Sequence, residues 1–153
     1  MQNHKHNYII LFNKMKIFAL FLSLTFAATL VAGEKPYAPE NVPGATIVSA
    51  EEAVDMILSS QELVVIDSRK KTEYIKGHIE GAINILNTEL ALESLELIIP
   101  ERSTPVLFYC NGVRCLRSSD SITRAVGWGY TNLFWFRGGW KEWTEKRLPV
   151  VTD

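Results

Sequence analysis

The sequence predicts an α/β domain with a largely parallel sheet, and three observations carry that prediction. Leu63 to Ile66 (LVVI) and Pro105 to Tyr109 (PVLFY) are short, continuous apolar runs, the mark of strands buried on both faces. Segments with apolar residues at helical spacing alternate with such runs along the chain. A length of 153 residues, 47% hydrophobic and 22% charged, suits one ordinary globular domain.

The first 33 residues are read as a secretory signal and set apart from the fold. Ile17 to Ala32 is apolar apart from a Ser and two Thr, follows Lys14 and Lys16, and ends in small residues. This run is shorter than the roughly 20 residues of a spanning helix. Cleavage is expected after Gly33, and Met15 is a candidate true start. The chain is therefore expected to be exported, to a periplasm, where disulfides persist. The competing reading is an uncleaved N-terminal membrane anchor. Glu34 to Gly44 holds three prolines and reads as a leader arm, with the domain proper over 45–153.

The elements follow in order. Thr46 to Val48 is a strand candidate, and Ser49 with Glu52 makes a capping-box pattern ahead of a helix with Ala53, Ile57 and Leu58 on its apolar face. After LVVI, Thr72 to Lys76 makes a short helical turn closed by Gly77, and Ala82 to Leu86 is a further strand. Thr88 to Ile98 alternates Leu and Glu at helical spacing and stops before Pro100. After PVLFY, Ser118 opens a helix through Val126, Leu133 to Phe136 forms the last strand, and a final helix carries Trp140 and Trp143.

Composition removes several function classes. The formal net charge is −1; loss of the leader takes three of the sixteen basic residues and none of the seventeen acids, leaving about −4. Neither value has the basic footprint of a nucleic-acid binder. Two cysteines make no disulfide scaffold, and no Cys/His cluster has zinc-ligand spacing.

Ligands of open parallel sheets bind beyond the carboxyl ends of the strands. Two such ends carry chemistry: Asp67-Ser68-Arg69 after the first buried strand, and Cys110 to Ser118 (CNGVRCLRS) after the second. A thiol at Cys110 would face unpaired N–H groups at a helix start, with Arg114 and Arg117 nearby, and these favour the thiolate. The same donors suit an oxyanion or the terminal sulfur of a persulfide. The plain alternative is a buried strand-end cysteine.

Val65-Ile66-Asp67-Ser68-Arg69, Glu73-Tyr74 and Gly77-His78-Ile79-Glu80-Gly81-Ala82-Ile83-Asn84 resemble the signature of rhodanese-like domains. Val106 to Cys110 with its loop, and Phe136-Arg137-Gly138-Gly139-Trp140 with Trp143 and Pro149-Val150, resemble the same family, over about Ala45 to Val151. The resemblance implies a five-stranded parallel sheet flanked by helices, and sulfurtransferase chemistry without metal or organic cofactor. Cys110 takes a sulfane sulfur from thiosulfate or a similar donor, becomes a persulfide, and passes the sulfur to cyanide, a thiol or a protein acceptor. Asn111, Gly112, Val113, Arg114, Cys115, Leu116 and Arg117 form the substrate-binding loop, with backbone amides of Asn111 to Leu116 cradling the sulfur.

The loop departs from the commonest family pattern, in which an Arg stands five residues after the cysteine; here Cys115 stands there. The Cys-Asn-Gly-x-x-Cys-x-x-Ser form resembles an exported subgroup. Cys115 is a resolving thiol, half of a locked disulfide, or a small buried residue. A catalytically idle binding or redox-sensing module using both thiols is the alternative function. Leu116, six residues after Cys110, stands where phosphatase-like relatives need an Arg. Asp67 and Arg69 are expected to support the site as a bidentate pair. His78 is expected to be structural, and the aromatic residues of the C-terminal third are expected mostly to pack in the core, with Trp135 or Trp140 the candidate for the mouth of the site.

Overall fold

The computed structural model describes residues 36–153; the expected signal segment lies outside them. Five strands form one sheet in the order β1-β5-β4-β2-β3: β1 (Ala45–Ile47), β2 (Val64–Asp67), β3 (Ile83–Asn84), β4 (Val106–Tyr109) and β5 (Leu133–Phe136). Every pairing is parallel. The helices are α1 (Ala50–Ser59), α2 (Lys71–Tyr74), α3 (Leu92–Ile98), α4 (Arg117–Gly127) and α5 (Gly139–Glu145).

β4 is central, and its alternating side chains divide the core in two. Val106 and Phe108 join Ile66, Leu95, Ile122, Leu133 and Trp135 on the face covered by α3 and α4. Leu107 and Tyr109 join Val65, Ala53, Tyr74, Phe136 and Trp143 on the face covered by α1, α2 and α5. Each large side chain so buried contributes about 1.5–3 kcal/mol of hydrophobic stabilisation. The connections leaving β2 and β4 thus pass to opposite faces, which opens a crevice between their carboxyl ends.

The capping box forms: Glu52 N–H donates to Ser49 Oγ (3.2 Å) and Ser49 N–H to Glu52 Oε2 (2.7 Å). Leu58, expected on the apolar face of α1, is instead 81% exposed, because the inward stripe runs through Ala50 and Ala53. The helix expected from Thr88 begins only at Leu92, with Ser94 Oγ accepting from Ala91 N–H. The strand expected over Ala82 to Leu86 shrinks to two residues at a sheet edge, where only β2 supplies a partner. Ala38 and Val42, from the segment read as a leader arm, are buried in the first core. Arg137 holds that segment through Nε to Pro39 C=O (2.8 Å) and Nη2 to Ala38 C=O (2.9 Å).

Candidate active site

Cys110 follows the last residue of β4 and is 2% exposed. Its thiol donates to the Cys115 carbonyl (3.2 Å), and its sulfur accepts from Ser118 Oγ (3.1 Å). Ser118 Oγ in turn accepts the indole N–H of Trp135 (3.0 Å). A hydrogen-bonded chain from β5 through α4 therefore fixes the sulfur.

The loop over 111–117 is pinned from three directions. Trp140 N–H donates to Cys110 C=O (2.8 Å) and Lys141 N–H to Asn111 C=O (3.1 Å), so the start of α5 sits on the loop backbone. This close approach explains the glycine pair before Trp140. A Cβ on Gly139, whose φ is +55°, would stand 2.2 Å from Cys110 O. Gly112 has φ +135°, and a Cβ there would meet Gly138 O at 2.9 Å. On the other side Ala38 N–H donates to Val113 C=O (2.8 Å). From α2, Glu73 accepts from Asn111 Nδ2 (2.6 Å), Arg117 Nη1 (2.7 Å) and Lys70 N–H (3.0 Å). Burial pushes the Glu73 carboxyl up, but these three donors outweigh it and bring it down to about 2.

The two arginines separate. Arg117 Nε donates to Cys115 Sγ (3.2 Å) while its Nη1 holds Glu73. Arg114 points outward, stacks over the Tyr37 ring at 4.2 Å and donates to its hydroxyl (2.6 Å). An open cleft of about 610 Å³ lies above the loop, lined by residues 111–117 with Pro36, Tyr37 and Lys141. Among the described residues its charged lining is Arg114, Arg117 and Lys141, all cationic.

The expectation of a Cys110 thiolate is reversed. Burial, then a hydrogen bond and repulsion from the Cys115 sulfur, push the Cys110 thiol well above its ordinary range. Cys115 is brought down to about 5, first by the Cys110 thiol, then against burial by N–H groups of Arg117 and Asn111 and by the Arg117 side chain. The donors expected to cradle sulfur on Cys110 thus converge on Cys115, and the pair carries its first negative charge there. Both sulfurs are free and both residues are buried.

Asp67 and Arg69 lie beneath this arrangement rather than in the cleft. Arg69 Nε and Nη2 grip the Asp67 carboxylate (2.6–3.0 Å), Nη2 also donates to Gly77 C=O (2.7 Å), and the Tyr109 hydroxyl donates to Asp67 Oδ2 (2.6 Å). Trp140 covers the Arg69 guanidinium at 4.4 Å. Core packing, the expected role, takes both candidate tryptophans away from the mouth: Trp135 is buried below Ser118, and Trp140 covers Arg69. His78 stacks on Tyr74 at 3.7 Å and its backbone pairs with Val151. Sequence reading missed Glu73 and Tyr37 as site residues. For Glu73 the signal was an acid three residues after Lys70 at a helix start; Tyr37 had none, since its contact is nonlocal.

The sequence model of the rhodanese-like domain matches residues 49–146. The uncharacterised protein YibN of Escherichia coli is 27% identical over 131 residues, covering 85% of this chain and 89% of its own. Thiosulfate sulfurtransferase from Pseudomonas aeruginosa superposes with TM-score 0.61 at 28% identity, over 71% of this chain and 20% of that one. Human single-domain sulfurtransferase TSTD1 shares the fold, with TM-score 0.57 at 24% identity, over 67% of this chain and 98% of its own. With five parallel strands, a cysteine closing the central one and the family match over most of the described residues, this chain is a member of the rhodanese-like domain family.

Proposed function

We propose that the chain is an exported single-domain sulfurtransferase that takes a sulfane sulfur onto Cys110. The observation that carries this reading is the seat of Cys110 at the end of the central strand, under a loop whose cleft, among the described residues, carries only cationic charge. Thiosulfate, or a donor with a similar anionic end, fits that charge; Arg114 is the cation best placed to meet it, since among the described residues it pairs with no carboxylate. The Cys110 sulfur attacks the sulfane sulfur, sulfite leaves with the electron pair of the broken S–S bond, and the Cys110 proton passes through solvent to the outer sulfur, leaving Cys110–S–SH. Cyanide, a small thiol or a cysteine of an acceptor protein then removes the outer sulfur. The periplasmic location rests on the leader at 1–33, and membrane attachment follows if that leader stays uncleaved.

Intact mass of the protein before and after thiosulfate tests the reading. A gain of one sulfur atom at the earliest times after mixing, removed by cyanide and absent in Cys110→Ser, is the expected result. A mass short by two hydrogens that thiosulfate leaves unchanged would instead make the chain a dithiol binding or redox module.

A further inference from the structure

Cys115 has surroundings that a space-filling cysteine does not need. Inert structural cysteines sit among apolar groups, whereas the Cys115 sulfur receives the Arg117 guanidinium through Nε at 3.2 Å. Arg117 is itself anchored on Glu73, so its guanidinium is held in place rather than free to sample solvent. The turn closed by Cys115 N–H to Gly112 C=O (2.8 Å) folds the loop back, and the Cys110 thiol donates to the Cys115 carbonyl at 3.2 Å. The Cys110 sulfur thus lies against the Cys115 main chain, and Cys115 lines the cleft above buried Cys110.

We propose that Cys115 is a resolving thiol, so that the chain reduces sulfane sulfur to hydrosulfide as well as transferring it. The inference rests on the reading of Cys110 as the persulfide carrier. Cys115 Sγ attacks the inner sulfur of Cys110–S–SH, forming Cys110–S–S–Cys115. The bond between inner and outer sulfur breaks, and its electron pair and the persulfide proton leave together as HS⁻. The outer sulfur is reduced by two electrons, and the two cysteines are oxidised by two. Attack at the inner sulfur is favoured by proximity and by the leaving group, since hydrosulfide is less basic than an alkyl thiolate. A reducing dithiol, small or carried by a protein, then opens the disulfide and is itself oxidised to a disulfide. The depressed Cys115 acidity, about 5, keeps this attacking sulfur ionised at neutral pH.

The test is a single turnover under anaerobic conditions, with fully reduced protein freed of reductant and then given thiosulfate. The wild-type chain is expected to release hydrosulfide stoichiometrically, lose both free thiols and end two hydrogens lighter. Cys115→Ser, with Cys115→Ala as a second variant should the first misfold, is expected to hold one extra sulfur atom and release no hydrosulfide until dithiothreitol is added. A wild-type persulfide as long-lived as that of the variants, with no hydrosulfide, overturns the resolving role alone. Failure of both variants to gain sulfur, with no hydrosulfide from the wild type, overturns the sulfur-transfer reading and this inference with it.

Discussion

Glu73 is the residue on which the site geometry most depends, and replacing it by Gln tests this without changing its size. Its carboxylate joins α2 to the loop through Asn111 and Arg117, and its acidity is moved from 4.5 to about 2. A displacement of that size corresponds to about 3.4 kcal/mol of linkage before any screening. The Glu73 side chain is 34% exposed, and screening reduces the expected contribution to about 1–2 kcal/mol. Because the folded acidity is depressed, the stabilisation is fully present above pH 4.5 and is lost as pH falls toward 2. Urea unfolding of Glu73→Gln and wild type is therefore expected to differ by about 1–2 kcal/mol at pH 7, and by less than half of that at about pH 3. A difference that is the same at both pH values, or absent at pH 7, would refute the claim that the ionised carboxylate clamps the loop.

Ser118→Ala removes the acceptor of the buried Trp135 indole N–H and the donor to Cys110 Sγ; denaturation should show a loss of about 1–3 kcal/mol, and the Cys110 thiol should become harder still to ionise. Gly139→Ala should cost about 2–4 kcal/mol, because a left-handed φ and a backbone oxygen at 2.2 Å leave a Cβ no room; a variant as stable as wild type would show that the loop yields freely. Arg114→Ala should raise the Michaelis constant for thiosulfate by about three- to tenfold, the loss of one charge-assisted contact, with little change in melting temperature because among the described residues its partner is the exposed Tyr37. Alkylation by iodoacetamide should rise through a midpoint near pH 5 and label Cys115, since the thiol is protonated below that pH and ionised above it; first labelling at Cys110 would reverse the assignment of charge within the pair.

The α/β class, and the strands and helices that build it, were legible along the chain because each rests on local chemistry. LVVI and PVLFY are runs that only a strand covered on both faces buries well, and they form β2 and β4. Ser49 and Glu52 cap α1 through contacts three residues apart, so their pattern announces itself. Asp67 and Arg69, two residues apart at a strand end, likewise found each other. Cys110 was placed by the strand that carries it.

Charge direction was decided only by the tertiary structure. Arg114 and Arg117 are near neighbours in the loop, yet one stacks on Tyr37, 77 residues earlier, and the other binds Glu73, 44 residues earlier. No local pattern encodes such partners, and the ordering of acidity in the Cys110–Cys115 pair follows from them and from burial. The same holds for Gly139, whose missing side chain makes room for Cys110 O across 29 positions, and for Ala38 and Val42, buried in the core from a proline-rich segment. Sequence alone determined which elements form and where Cys110 stands, because propensity and capping act within a few residues. Which sulfur holds the charge was left to contacts between distant segments, because desolvation and hydrogen bonding depend on what the fold brings within about 3 Å.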